Sequence, residues 1–115
     1  MNWIDHEYLV TVMIGNSREG ALVAKRIYKL TQKRTHVFAE KFSLLQRFKY
    51  ITHKVDPWRD FLVIESLIAF AQSLEGYHFP VLISCNESSQ KLIEKYSEIL
   101  DCYYVSVKAC DITEY

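Results

Sequence analysis

The sequence predicts an α/β domain of three layers, with helices on both faces of a mainly parallel sheet in strand order 3-2-1-4-5. Three observations carry that expectation. Short apolar runs such as "YLVTVMI" (8–14) and "FPVLISC" (79–85) are continuous rather than alternating, as strands buried on both faces require. Between them lie amphipathic segments of helical length. The strand and helix signals alternate along the chain, which implies crossover connections between parallel strands. At 115 residues the length prior gives one domain over 1–115, large enough to bury a core of its own.

Each element has its own signal. The run 8–14 is the first strand. Residues 18–33 form a helix with Gly20, Val23, Ala24, Ile27 and Thr31 on one face and Lys25, Arg26, Lys29 and Lys33 on the other. "THVFAE" (35–40) is the second strand. Residues 42–50 read as a turn or a single helical turn, and "YITHKV" (50–55) as a weak third strand. Asp56 before Pro57 has the form of an N-cap with proline in the first turn. A helix follows over 57–75, with Phe61, Ile64, Leu67, Ile68, Ala71 and Leu74 inward, and Gly76 stops it. After the strand 79–85, "NESSQKLIEKYSEIL" is a helix that directs Leu92, Ile93, Tyr96, Ile99 and Leu100 to the core. "CYYVSV" (102–107) is the last strand, and the tail has no assignment.

Composition excludes several function classes. Fourteen basic and fourteen acidic residues cancel, so no general electrostatic attraction to nucleic acid or an anionic membrane is expected. Cys85, Cys102 and Cys110 are odd in number and lack zinc-site spacing, which argues against a disulfide framework and suits a reducing, cytoplasmic setting. His6, His36, His53 and His78 form no helical metal pair. No basic region followed by an apolar stretch opens the chain, so no secretory leader is expected. The most apolar window, "FLVIESLIAFA", is too short to span a bilayer. Trp3 and Trp58 sit at element edges, where local packing is the simplest role.

In the expected strand order, the reversal falls between the first and fourth strands, where α/β sheets bind ligands. Two loops meet there, 15–20 and 85–88. "GNSREG" has the spacing of a phosphate-binding loop, but Ala21 and Leu22 stand where Lys and Ser/Thr are needed. As a dinucleotide fingerprint it has Gly15 and Gly20 but Ser17 in the middle. Glu40 lies about where an acidic residue would hold a ribose. Gly15, Gly20 and Glu40 are the cofactor-contact candidates on that reading. A plain structural account covers most of the same residues. Asn16 or Ser17 caps the helix, Glu19 suits its first turn, and Gly20 permits close helix–sheet packing. Arg18 opposes the helix dipole and is left over for an anion or a neighbouring domain. In the second loop Asn86 or Ser88 caps and Glu87 suits the first turn. Cys85 lies near a helix N-terminus, a place that lowers a thiol pKa. No histidine is placed by sequence to partner it, and a buried, inert thiol is the reading we take. A phospho-receiver site is ruled out, since the first strand ends in Gly15 and Asn16 rather than in an acidic cluster.

The stretches "VMIGNSREGALVAKRIYK", "HVFAEK" and "YHFPVLISCNESSQKLIEKYSEILDCYYVS" together resemble one known arrangement. It is the Rossmann-like, pre-ATP-grasp N-terminal domain of ATP-grasp carboxylate–amine ligases, in particular the D-aspartate ligase and carbamoyl-phosphate-synthase-like group. The resemblance implies a domain that packs on ATP-binding lobes and lines the pocket of a small carboxylate or amine substrate. It implies ATP and magnesium as cofactors of the full-length enzyme, none of them held by this chain. By the same resemblance, Asn16, Ser17, Arg18 and Glu19 and Cys85, Asn86, Glu87 and Ser88 would face the substrate. The sequence ends at Tyr115, where such lobes begin in that family, so no ligase activity is expected of this chain alone. The alternatives are a stand-alone nucleotide- or metabolite-binding module, and an interaction domain that dimerises through an exposed flank.

Overall fold

Four strands carry the core of the sheet, and their residues explain why. In the computed structural model, which describes residues 8–15, 17–39, 51–55 and 60–109, β1 (Leu9–Ile14) lies between β2 (Thr35–Ala39) and β4 (Phe79–Ser84), and β5 (Val105–Lys108) flanks β4. All these pairings are parallel, and β1 and β4 align over six residues, from Leu9 opposite Phe79 to Ile14 opposite Ser84. A further strand, β3 (Ile51–Val55), described in its backbone alone, runs parallel to β2 on the outer side. The expected α/β class and parallel sheet are what the structure shows.

Both faces of this sheet are covered. Along β1 the side chains alternate between two apolar clusters. Leu9 and Met13 join Val23, Ala24 and Ile27 of α1 (Arg18–Thr31). Val12 and Ile14 join Val63, Ile64 and Leu67 of α2 (Asp60–Ser73), with Leu92 and Ile93 of α3 (Glu87–Lys95). One helix therefore covers one face and two cover the other, which is why "YLVTVMI" has no polar face. The one hydroxyl within β1, on Thr11, meets the Thr35 hydroxyl at 3.0 Å, so two buried polar groups satisfy each other between adjacent strands.

Several boundaries differ from the sequence reading, each for a local reason. Helix α1 ends at Thr31 rather than 33. The Thr31 hydroxyl donates to the Ile27 carbonyl and accepts from the Lys33 amide, and Gln32 turns left-handed at φ 62°. Helix α2 ends at Ser73, whose hydroxyl donates to the Phe70 carbonyl at 2.6 Å, before Gly76 at φ +75°. Val63, absent from the expected inward set, is fully buried, while Leu74 is half-buried.

The helix after β4 is two pieces. Tyr96, at φ −112° and ψ 21°, separates α3 from α4 (Ser97–Leu100). This break rotates the second piece, so Ile99, expected inward, is 48% exposed, while Leu100 is fully buried. The last strand starts at Val105 rather than 102. The amides of Tyr103 and Tyr104 are taken by the Leu100 carbonyl, and the Tyr104 hydroxyl donates to Leu67 of α2 at 2.6 Å. The Asp56–Pro57 cap, the turn over 42–50, Phe61's side chain and both tryptophans lie outside the described residues. Among the described residues, no helix is long and apolar enough to cross a membrane.

The two kinds of leucine-sized residue should separate in urea unfolding. Leu67→Ala opens a cavity between α2 and the sheet and should lower stability by about 2–5 kcal/mol. Ile99→Ala should cost no more than about 0.5 kcal/mol, as surface changes do. Equal losses at the two positions would contradict the break at Tyr96.

Candidate functional site

The ends of β1 and β4 lie side by side, and the loops that leave them are tied together. After Ile14 the chain turns at Gly15, φ +87°, whose amide donates to the Phe38 carbonyl at 2.8 Å. A left-handed φ of this size favours glycine. Ser17 then caps α1. Its hydroxyl oxygen accepts from the Gly20 amide at 2.9 Å and donates to the Cys85 carbonyl at 2.8 Å. One side chain thus starts the helix and binds the first loop to the second. Gly20 is where the helix meets the strand ends. A Cβ there would stand 2.8 Å from the Cys85 Cβ and 2.8 Å from the Met13 Sδ.

The second loop closes on itself in the same way. The Asn86 side chain accepts from the Ser89 amide at 2.8 Å, and the Ser89 hydroxyl accepts in return from the Asn86 amide at 3.2 Å. That capping box uses Ser89, a residue the sequence reading passed over for Ser88. The usual partner at this position is Glu or Gln, so serine gave no signal. Ser89 also accepts from the Cys85 amide at 3.1 Å.

Cys85 itself is buried, and its thiol donates to the Ile14 carbonyl at 2.9 Å. Burial pushes the thiol above its ordinary 9.0. Hydrogen bonds to Ser17, Ser89 and its own backbone act the other way and are outweighed, and the Glu19 carboxylate adds to the upward push. Desolvation therefore outweighs the thiol-activating effect of a nearby helix start at this position, and the thiol is buried, as expected.

A shallow depression of about 230 Å³ opens beside these loops, lined by Glu19, Ser84, Cys85, Asn86, Glu87, Gln90 and Ala109. Of the expected site residues, Glu19, Cys85, Asn86 and Glu87 come together in it. Ser17 and Gly20 lie behind it in the packing, and Gly15, Arg18 and Ser88 are outside its lining, Arg18 and Ser88 being exposed. Asn16 and Glu40 lie outside the described residues. Ser84, Gln90 and Ala109 were missed, Ser84 being the last residue of β4. Gln90 stands three residues after Glu87 on the same helix, and Ala109 follows β5, the neighbour of β4. Helical spacing and strand order would have found both.

The ionisable lining is acidic. Glu19 and Glu87 are carboxylates in first helical turns, and among the described residues no Lys, Arg or His joins them in the wall. Lys91 lies 3.5 Å from Glu87, but both side chains are largely exposed, so the pair contributes little. Gln90 donates to Glu94 at 3.1 Å. Among the described residues, no group of three or more His, Cys, Asp or Glu could hold a metal ion. No family model, curated protein or solved structure matches the chain.

Gly20→Ala should cost about 1–3 kcal/mol by overpacking, read from its unfolding midpoint; a neutral outcome would mean the helix start is not pressed on the strands. The thiol gives a second check. The folded chain holds the Cys85 proton more tightly than the unfolded one does. Cys85 therefore stabilises fully below the ordinary thiol pKa, and that contribution falls as pH rises beyond about 9. Between pH 9 and 10.5 the wild type should lose stability faster than Cys85→Ala, by at most about 1.4 kcal/mol per pH unit. Parallel curves would show that the thiol does not titrate as described.

Proposed function

We propose that this chain is the substrate-side domain of an ATP-dependent carboxylate–amine ligase, and that its switch-point cleft takes the amine-bearing substrate. The observation that carries the reading is the charge of the cleft. Glu19 and Glu87 face it with no cation among the described lining residues, a setting that attracts an ammonium group and repels phosphate. The Rossmann-like assignment rests on the five-strand order β3-β2-β1-β4-β5, with the reversal between β1 and β4 where the cleft lies.

The chain's own groups support binding rather than chemistry. The Ser17 hydroxyl is engaged on both sides, and the Cys85 thiol is protonated, buried and bonded to a carbonyl. Neither is an activated nucleophile. Asn86 spends its side-chain carbonyl on the cap. Activation of a carboxylate by ATP, with magnesium, therefore belongs on this reading to lobes outside the chain. Glu19 and Glu87 would hold the ammonium end, and Gln90 and the Asn86 amide group would set its orientation.

The rival is a stand-alone module. In its nucleotide form it would place phosphates against two carboxylates, with no lysine in the first loop. Arg18, left over for an anion or a neighbouring domain, does not line this cleft.

Amide NMR titration of the purified chain separates the readings. Ethanolamine and lysine amide should shift the amides of Glu19, Asn86, Glu87 and Gln90, and Glu19→Gln should weaken that binding about threefold or more. ATP should leave these amides in place and should not be hydrolysed. Shifts at the same amides with ATP, and none with the amines, would support the nucleotide module instead.

A further inference from the structure

The opposite end of the sheet carries a second depression with the reverse charge. It encloses about 490 Å³ where β1 begins, where α1 hands over to β2, and where the chain enters β4. Four basic side chains from three segments line it: Lys33 and Arg34 after α1, His36 on β2, and His78 before β4. No carboxylate is among the described lining residues.

Lys33 and Arg34 by themselves have a plain explanation. They follow the C-terminus of α1, where the helix dipole favours cations. That does not account for His78, which arrives 44 positions after Arg34. The His78 Nδ1 is buried and has no hydrogen-bond partner among the described residues. A buried polar atom left without a partner is costly, and natural structures rarely leave one without a reason. Arg34 has no ion pair among the described residues either. Lys33 is held in place, its ammonium donating to the Leu9 carbonyl at 3.3 Å. The His36 ring rests on Phe70, with 4.8 Å between centroids, and forms a fixed wall. Tyr28 and the start of β1 supply a flat and apolar side.

We propose that this depression is a binding site for a small phosphate-bearing molecule. Its phosphate lies against Arg34, Lys33 and His78, and its organic body lies against Tyr28 and Leu9. Phosphate fits the donor set better than a carboxylate does. Three cationic or imidazole groups converge from different directions. A tetrahedral dianion can present an oxygen in each of three directions, while a carboxylate confines its acceptor sites to one plane and carries half the charge. The volume lies within the range of small-molecule sites. Nucleic acid is disfavoured by the chain's zero formal net charge. The proposal is independent of the amine cleft, which lies at the other end of the strands.

Calorimetric titration of the wild-type chain with pyrophosphate, with succinate as the carboxylate probe, tests it. Pyrophosphate should bind with a submillimolar Kd and succinate at least tenfold more weakly. Arg34→Ala, at an exposed position, and His78→Gln should each weaken pyrophosphate about tenfold, the size of one lost charge-assisted contact. Circular dichroism of both variants should match the wild type. Absence of pyrophosphate binding at 10 mM would overturn the proposal, as would binding that succinate equals or that both folded variants retain. A variant that fails to fold is replaced by Arg34→Gln, which must show the same weakening.

Discussion

The close approach at Gly20 is the constraint on which the rest of the site depends. The first turn of α1 lies against the ends of β1 and β4 with no room for a side chain, its neighbours being Met13 and Cys85. That contact brings Ser17 within reach of the Cys85 carbonyl, and the same hydroxyl oxygen then caps the helix through the Gly20 amide. The thiol of Cys85 is in turn directed to the Ile14 carbonyl. A single bulky residue at position 20 would separate the helix from the strands, and with it the cap, the tie between the loops and the burial of the thiol.

This arrangement determines what chemistry is left to offer. The polar groups that sequence alone would nominate as a phosphate cradle are consumed by the loops themselves: Ser17 by its cap and cross-loop bond, Asn86 and Ser89 by their mutual box. What faces outward is the acidic pair Glu19 and Glu87. Both carboxylates are also well placed for their helix dipoles, so their position serves stability and still leaves a negative cleft. The amino-terminal end of the sheet has the opposite character, with basic residues gathered around the start of β1. Among the described residues, the two depressions thus carry opposite charge, even though the chain's formal charges cancel.

Much of the fold was legible because its strongest signals are local. Continuous β-branched runs, Gly15 and the helix caps act within a few residues, and burial on both faces leaves β1 and β4 without a polar alternation. Less legible were features set by distant contacts. The break at Tyr96 has no glycine or proline to announce it, so Ile99 was assigned to a core from which the break turns it away. Tyr104 reads as part of a strand, yet its hydroxyl reaches Leu67 and the preceding turn takes its amide. At the cleft, Glu19, Cys85, Asn86 and Glu87 were found from the strand order. Arg18 was not separated from them, because a helix N-terminus gives no indication of which first-turn side chains face the neighbouring loop. The sign of the Cys85 shift was also out of reach, since it is a balance between burial and hydrogen bonds.

The central claim is that the two switch-point loops form one closed, self-satisfied unit. Native-state hydrogen exchange measures this most directly. The amides of Gly20, Cys85 and Ser89 all donate to side-chain oxygens within the loops. The account predicts that they exchange only through global unfolding, with the same opening free energy as the central amides of β1. Exchange of these three by local opening, orders of magnitude faster than β1, would show that the loops are not closed upon themselves and that their hydroxyls and thiol are available for other chemistry.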